Sequence, residues 1–207
     1  MSVSPKNLGR PKQEDRVIPT KTHILNTAIQ LFLQYSYKNT SMDEVALKCN
    51  VTKATVYYYF KTKAELFTAA VESLMTTVRQ SSVKILSQHI PFQERLEQLI
   101  IIFTRATVDI DIHTFIREAS SSLSEDQLKR IQASEDAMHD AIEACFAKEV
   151  ENGVLPNKST KFMAHLFLSL LNLSKFTDSN GQGFFNSLEE TAHEITTFFW
   201  NGIHSSK

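Results

Sequence analysis

The stretch that decides the fold of this 207-residue chain is Thr52-Lys53-Ala54-Thr55-Val56-Tyr57-Tyr58-Tyr59-Phe60-Lys61-Thr62-Lys63. Three consecutive tyrosines between lysines suit a hydrophobic core poorly, because the phenols cannot all face inward together. They suit a short helix whose exposed face meets a polyanion, with hydroxyl and ammonium groups reaching phosphates and ring edges reaching base methyl groups. Because a second short helix precedes it, the segment is predicted to be the recognition helix of a helix-turn-helix.

The distribution of charge favours contact with nucleic acid at one end of the chain. Over the whole chain Lys+Arg is 22 and Asp+Glu is 23, a balance that by itself predicts no nucleic-acid binding. Residues 1–63, however, carry ten Lys/Arg against four Asp/Glu, whereas residues 64–207 carry twelve against nineteen. A basic head on an acidic body is expected when only the head meets DNA, because the body repels phosphate and helps to orient docking.

Composition also bounds the class of protein. No apolar run approaches the ~20 residues that span a bilayer, and the N-terminus is polar and basic rather than of the signal-peptide type. Cys49 and Cys145 lie far apart in sequence, which argues against a disulfide framework or a thiolate metal site. Cys49 is expected to be a small buried residue rather than a redox sensor. We therefore expect a cytoplasmic protein that makes no membrane contact.

The chain is predicted to be helical almost throughout. Between Gly9 and Gly153 there is no glycine, and between Pro19 and Pro156 the only proline is Pro91. Because glycine and proline are the strongest breakers of helices, their absence favours long helices and leaves little room for strands. The fold class is therefore expected to be all-α.

The residues before the tyrosines predict two more helices. The first runs from about Lys21 to Tyr35, and the second begins at Ser41-Met42-Asp43-Glu44, a capping box that satisfies backbone amides at a helix start. Asn50 suits the turn that follows, because asparagine tolerates the left-handed conformation. The apolar face of the first helix, at three-and-four spacing, consists of Ile24, Leu25, Ala28, Leu31, Phe32 and Tyr35.

Helices of roughly seven residues are too short to stand alone, so the second and third must pack on the first. A further capping box, Thr62-Lys63-Ala64-Glu65, predicts the start of the next helix, and Thr52 is the predicted cap of the tyrosine helix. The three helices form a DNA-binding unit. The side chains expected to pack it together are Val45, Ala46, Val51, Val56 and Phe60.

A specific pattern extends from Ile24 to Leu66. Its positions are Ile24-Leu25, Ala28, Leu31-Phe32, Thr40-Ser41-Met42, Val45-Ala46, Val51-Thr52-Lys53, Val56-Tyr57-Tyr58-Tyr59-Phe60-Lys61-Thr62-Lys63 and Leu66. In these positions the chain resembles the N-terminal domain of the tetracycline repressor (TetR/AcrR) family of bacterial transcriptional regulators. The resemblance implies a three-helix helix-turn-helix DNA-binding domain followed by a larger helical ligand-binding and dimerisation domain. We expect a basic arm over 1–19, the DNA-binding domain over 20–66 and the effector-binding and dimerisation domain over 67–207.

The resemblance also implies roles for individual residues. The residues that would face double-stranded DNA are Lys53, Thr55, Tyr57, Tyr58 and Tyr59, and those that would hold phosphates are Thr40, Ser41 and Lys63. The simpler alternative is that one tyrosine packs inside while the other two coat the helix, and that the lysines are solvated surface. In the basic arm, Arg10 and Lys12 have the pattern of a segment that enters an A·T-rich minor groove. That arm is equally consistent with a solubilising tail.

Three positions depart from the usual family pattern. Ser36, Asn50 and Ala54 stand where many members have glycine. Ser36 stands where the family often has the glycine that ends the first helix, and it is expected to carry a backbone cost of up to ~1 kcal/mol. None of the three places the fold in doubt, although Ala54 bears on how closely the recognition helix approaches the groove.

The last two predicted helices, about 159–176 and 184–203, are richer in apolar residues than one inward stripe requires. A helix that is apolar all round is buried on all sides, which in a chain of this size indicates a partner subunit. Members of the resembled family dimerise through a four-helix bundle of their last two helices. We therefore expect a homodimer through these segments, and the alternative is one large core within a single chain.

The resemblance further implies a small-molecule effector that enters the body and changes the distance between two DNA-binding heads. Fourteen phenylalanines and five methionines suit an adaptable apolar cavity, so an apolar or aromatic effector of unknown identity is expected. For each candidate lining residue the alternative is core packing, or for the polar ones the surface. The candidates are Phe67, Met75, Phe103, His113, Phe115, Arg117, Met138, Phe167 and Phe176.

The expected function is that of a repressor that binds a palindromic operator as a homodimer and is released by its effector. A helical metal enzyme would need paired Glu-x-x-His motifs, and only Glu190-Thr191-Ala192-His193 fits. Neither a phosphate-binding glycine loop nor a nucleophile elbow occurs, so we predict no enzyme, no catalytic or metal site and no cofactor. The alternative is a constitutive DNA-binding protein without a ligand, for which the large acidic body would be unexplained.

Overall fold

The structure, a computed structural model, describes residues 19–106 and 112–205. Within these ranges the chain forms α-helices, one short 3-10 helix and no strand, which confirms the all-α prediction. None of the described helices is both long and apolar enough to cross a bilayer. The helices are α1 (Thr20–Asn39), α2 (Met42–Lys48), α3 (Lys53–Tyr59), α4 (Lys63–Leu86), α5 (Phe92–Ala106), α6 (Ile112–Ser120), α7 (Glu125–Glu151), α8 (Thr160–Leu171), the 3-10 helix (Asn172–Lys175) and α9 (Leu188–His204).

The chain divides into two compact units, one ending at Ala70 and the other beginning at Val71. We call them the head unit and the body unit. The division lies four residues beyond the predicted domain boundary after residue 66.

The head unit is built on the apolar face of α1, against which α2 packs, while α3 packs on α2. Ile24, Ala28 and Phe32 are buried as predicted. The prediction for Tyr35 is wrong, since its side chain is 51% exposed, and Tyr37 is buried instead. The reason is a break in α1 that rotates the chain after Tyr35.

That break lies at Ser36, whose backbone has φ 69° and ψ 164° inside an otherwise helical segment. The rotation brings Tyr37 against the aromatic core of the head unit. Its ring lies 5.9 Å from Phe32 and 5.1 Å from Phe67, and the rings of Phe32 and Phe67 are 5.2 Å apart. The break therefore completes the core rather than weakening it.

The predicted caps of the short helices are present. The Glu44 amide donates to Ser41 Oγ at 3.2 Å and the Ser41 amide donates to a Glu44 carboxylate oxygen at 2.7 Å, which is a complete capping box. Asn50, in the turn between α2 and α3, has a positive φ of 52°, as predicted. At the start of α4 the Glu65 amide donates to Thr62 Oγ1 at 3.1 Å.

The body unit has a core rich in phenylalanine. Phe146 of α7 lies 5.2 Å from Phe92 of α5 and 6.0 Å from Phe167 of α8, and Phe167 lies 5.3 Å from Phe199 of α9. Since each ring is at most 3% exposed, these four side chains join the four helices into one layer of contacts. The centroid distances match the 4.5–7 Å typical of aromatic pairs.

Several helix boundaries in the body unit follow the sequence signals. The helix α5 starts directly after Pro91, and Gly153, with φ +73°, follows the end of α7. The predicted helix over 159–176 is shorter than expected, because α8 ends at Leu171 and gives way to the 3-10 helix. The last helix begins at Leu188 rather than at 184, because Ser187 caps it by accepting the Glu190 amide at 3.0 Å.

The conformation of Ser36 generates a stability prediction. Its φ and ψ fall in a region occupied almost only by glycine, at a cost of order 1–3 kcal/mol for other residues. We expect Ser36→Gly to raise the free energy of unfolding by about 1 kcal/mol. Glycine removes the steric conflict in the folded state, but it also increases the conformational entropy of the unfolded chain, which offsets part of the stabilisation. Urea denaturation measures the change. The control is Ser36→Ala, which keeps the Cβ; equal stability of the two variants would contradict the strain.

Candidate nucleic-acid interface

Helix α3 fully buries one side chain and leaves its other side chains exposed or half-buried. Val56 is completely buried and anchors the helix to the head unit. Tyr58 is 74% exposed and Tyr57 is 45% exposed. A short helix with one apolar anchor and an exposed aromatic face is suited to an external partner rather than to further packing within the chain.

Tyr59 has an intermediate position and links the exposed face to the core. Its ring packs edge-on against Tyr58 at 5.1 Å and lies 6.4 Å from Phe60, which is only 2% exposed. This chain of aromatic contacts restricts the Tyr58 ring before any partner binds. None of the three tyrosines is fully buried, so the alternative in which one of them packs inside the protein does not describe this helix.

The start of α3 is fixed by two threonines. The Thr55 amide donates to Thr52 Oγ1 at 3.2 Å, and the two hydroxyl oxygens are 2.8 Å apart. Thr52 therefore caps α3 as predicted, and the hydroxyl of Thr55 lies in the first turn of the helix. The N-terminus of a helix favours negative groups because its amides are unsatisfied there.

Lys53 forms an ion pair with Asp43 of α2, a contact that the sequence did not reveal. The two side chains are 67% and 51% exposed. Exposed pairs of this kind contribute at most about 1 kcal/mol, so a phosphate can replace the carboxylate. The capping-box motif accounts for acidic residues at the start of α2, but it does not indicate which basic side chain forms an ion pair with Asp43.

Lys63, at the start of α4, is partly buried in the head unit. Its ammonium group donates to the Lys38 carbonyl at 3.2 Å and lies 4.5 Å from the centre of the Tyr37 ring. Burial lowers the pKa of Lys63, and the nearby Glu44 carboxylate opposes that shift. The stem of this lysine is thus held in place, which reduces the conformational entropy lost on contact with a phosphate.

Thr40 is placed differently from what its predicted phosphate contact requires. Its side chain is 2% exposed, and its hydroxyl lies 3.1 Å from the Leu31 carbonyl and 3.0 Å from the Ser36 carbonyl. The hydroxyl thus stabilises the break in α1 instead of facing outward. Ser41, the neighbouring candidate, is exposed but already engaged in the capping box.

Other candidates fall elsewhere. Arg10 and Lys12 lie outside the described residues, as does the side chain of His113. Cys49 is 4% exposed, and burial raises the pKa of its thiol, which confirms a small buried residue. Leu47 of α2, an apolar residue that no sequence motif includes, is 83% exposed.

The predicted effector residues do not form one group. Phe103 and Met138 are partly buried and pack against the core of the body unit, to which the fully buried Phe167 belongs. Met75 and Phe115 are also buried, whereas Arg117 is exposed.

Two of the effector candidates lie apart from that core. Phe67 belongs to the aromatic core of the head unit with Phe32 and Tyr37, so core packing explains the presence of a phenylalanine at this position. Phe176 stacks on Phe184 at 4.1 Å in the loop after the 3-10 helix and is 46% exposed.

Comparison with known proteins identifies the class to which this fold and interface belong. The family model "Bacterial regulatory proteins, tetR family" matches residues 24–70, and "Tetracyclin repressor-like, C-terminal domain" matches residues 89–175. The chain therefore belongs to the tetR family of bacterial transcriptional regulators and is not an enzyme.

Individual relatives agree with this assignment. The chain is 29% identical over 160 residues to the uncharacterized HTH-type transcriptional regulator YhgD of Bacillus subtilis, a match that covers 74% of this chain and 83% of YhgD. A putative TetR-family regulator from Mesorhizobium loti shares the fold with a TM-score of 0.66 and 24% identity, over 92% of this chain and 97% of that one. AibR, solved with isovaleryl coenzyme A and operator DNA, shares it with a TM-score of 0.61 and 22% identity, over 87% and 98%.

Proposed function

We propose that this protein represses transcription by binding a palindromic operator as a homodimer, and that a small apolar effector releases it. The observation that carries the DNA-binding part is the exposed tyrosine face of α3 in a head unit whose short helices are capped and buried on their other sides. Repression follows most simply because occlusion of a promoter needs binding alone, whereas activation needs a further contact. Such a protein acts in the bacterial cytoplasm, where the operator is.

The dimensions of α3 fit a major groove. A helix with its side chains is about 10–12 Å in diameter, which matches the groove width of about 12 Å, and the seven residues of α3 extend about 10 Å along it. The candidates for base contact are Tyr57 and Tyr58, with Lys53 and Thr55 at the helix start reaching the backbone. Ser41 and Lys63 then hold phosphates at the flanks, and Arg10 and Lys12 follow the minor groove. We leave the Thr40 side chain out because its hydroxyl is engaged inside the head unit.

We expect Tyr58→Ala to abolish the footprint at a palindromic operator, because each lost contact costs about 1–3 kcal/mol and a dimer loses it twice. Operators are first selected from random oligonucleotides with the unmodified protein, and binding is then measured at fixed salt. The matched control is Tyr35→Ala, an exposed tyrosine of α1 in the same unit. Intact binding by the Tyr58 variant, with both circular dichroism spectra unchanged, would refute the role of α3.

Dimerisation is supported by apolar side chains that the body unit leaves exposed on its last two helices. Phe198 of α9 is 76% exposed and Phe162 of α8 is 64% exposed, so neither belongs to the core of its own chain. Gly202 lies one turn beyond Phe198 on the same face, and a Cβ built there meets no atom within 4 Å. A second subunit can therefore approach α9 closely at this point.

We expect Phe198→Arg to convert the dimer to a monomer at micromolar concentration, because an unpaired charge would be buried at the centre of the interface. Sedimentation velocity measures the change. The control is Leu47→Arg, which places the same charge on an exposed apolar position of the head unit. If the Phe198 variant remains a dimer, or if the unmodified protein is already monomeric, the interface lies elsewhere or does not exist.

An effector that acts allosterically must bind the geometry that cannot hold DNA more tightly than the one that can. The body unit supports an apolar ligand through Phe103 and Met138, which are only partly buried against its core, and through Met75 and Phe115. With Phe167, Phe176, His113 and Arg117 they remain our candidates. Phe67 does not, because it packs inside the head unit.

We expect at least one apolar or acyl-coenzyme A compound to stabilise the protein and to release the operator. A ligand at 100 times its Kd stabilises by about 2.7 kcal/mol, which a thermal-shift screen detects. The complex of AibR with isovaleryl coenzyme A makes acyl-coenzyme A thioesters a reasonable first set, with free coenzyme A as the matched control. Stabilisers that all leave operator affinity unchanged would favour a constitutive DNA-binding protein.

A further inference from the structure

A cleft of about 260 Å³ opens on the body unit where the end of α4, the start of α5 and the end of α7 converge. Among the described residues, none of those proposed for DNA or effector contact lines it. Its lining includes five side chains that can donate hydrogen bonds: Gln88, His89, Arg95, Lys148 and Asn152. Glu149 also lines the cleft.

The Arg95 guanidinium is held rigidly in this cleft. Its Nε donates to the Ile90 carbonyl at 2.8 Å, and its Nη1 donates to the Leu86 carbonyl and to a Glu149 carboxylate oxygen, each at 2.8 Å. The side chains of Arg95 and Glu149 are 13% and 7% exposed. Three of the five N–H groups therefore fix the plane of the guanidinium, and the two on Nη2 donate to no acceptor among the described residues.

The charge of the cleft is opposite in sign to that of the body around it. Glu149 is neutralised by its ion pair with Arg95, whereas Lys148 is exposed and forms no ion pair with any residue in the described part of the chain. Burial raises the pKa of the Cys145 thiol at the wall, so it adds no negative charge at neutral pH. The cleft therefore carries a net positive charge, although residues 64–207 carry twelve Lys/Arg against nineteen Asp/Glu.

We propose that this cleft binds a small oxyanion, the phosphate or carboxylate group of a compact metabolite, between Lys148 and the fixed Arg95 guanidinium. Amide groups of Gln88 and Asn152 supply neutral donors, and His89 lies at the same opening. Charge-assisted hydrogen bonds of this kind are roughly twice as strong as neutral ones. The volume is below the ~300–1,000 Å³ of drug-sized sites, so the ligand is small and distinct from the apolar effector proposed above.

The test uses the full-length protein and titrates inorganic phosphate and malonate separately by calorimetry, at constant ionic strength maintained with chloride. We expect saturable binding of one of the two, which also distinguishes a phosphate from a dicarboxylate ligand. Lys148→Gln is expected to weaken that binding about tenfold or more, because it removes one charge-assisted hydrogen bond. Lys148 is exposed, so the variant is expected to fold normally.

The matched control is Lys129→Gln, which removes the same charge from an exposed position of the same helix, α7. It should bind the anion as the unmodified protein does. If the Lys148 variant binds the anion as the unmodified protein does, the site lies elsewhere, for example in the basic head, and the proposal is overturned. If both variants bind it equally more weakly, the effect is one of overall charge, and the proposal is overturned as well. No saturable binding of either anion overturns it too. None of these outcomes alters the operator footprint, so failure here is separable from failure of the proposed function.

Discussion

The structure depends on the satisfaction of backbone amides at the ends of two seven-residue helices. Helices of this length are unstable alone, because the cost of nucleation is spread over too few hydrogen bonds. Ser41 with Glu44 caps α2, and Thr52 caps α3. With the ends satisfied by side chains, burial of Val56 and Phe60 is sufficient to hold α3, and its tyrosines need not contribute to the core. Because the caps stabilise the helix, the tyrosines remain available for an external partner.

Much of this was readable from the sequence because caps and breakers are local signals. The capping box at Ser41 and the left-handed Asn50 each depend on residues within one turn. The tyrosine face was predictable for a similar reason, since three aromatic residues in a row cannot share one side of a helix.

The errors arose where tertiary packing overrides local pattern. Helical spacing placed Tyr35 in the core, but the break at Ser36 rotates the chain and buries Tyr37 instead. Thr40 matches a phosphate-binding position by sequence, yet its hydroxyl is engaged by the Leu31 and Ser36 carbonyls beside that same break. Phe67 follows the predicted domain boundary in sequence, but its ring completes the head unit. Apolar character alone does not show which of two cores a phenylalanine will join.

The ion pair between Lys53 and Asp43 has a consequence for the salt dependence of operator binding. Each phosphate neutralised by a lysine releases condensed counterions from DNA, and the logarithm of affinity falls with the logarithm of salt in proportion to their number. In the free head unit, Lys53 already has an anionic partner. If Lys53 turns to a phosphate, as the proposed function requires, Asp43 is left near the duplex and recruits a cation from solution. The slope per head therefore underestimates the number of lysines in contact with the backbone.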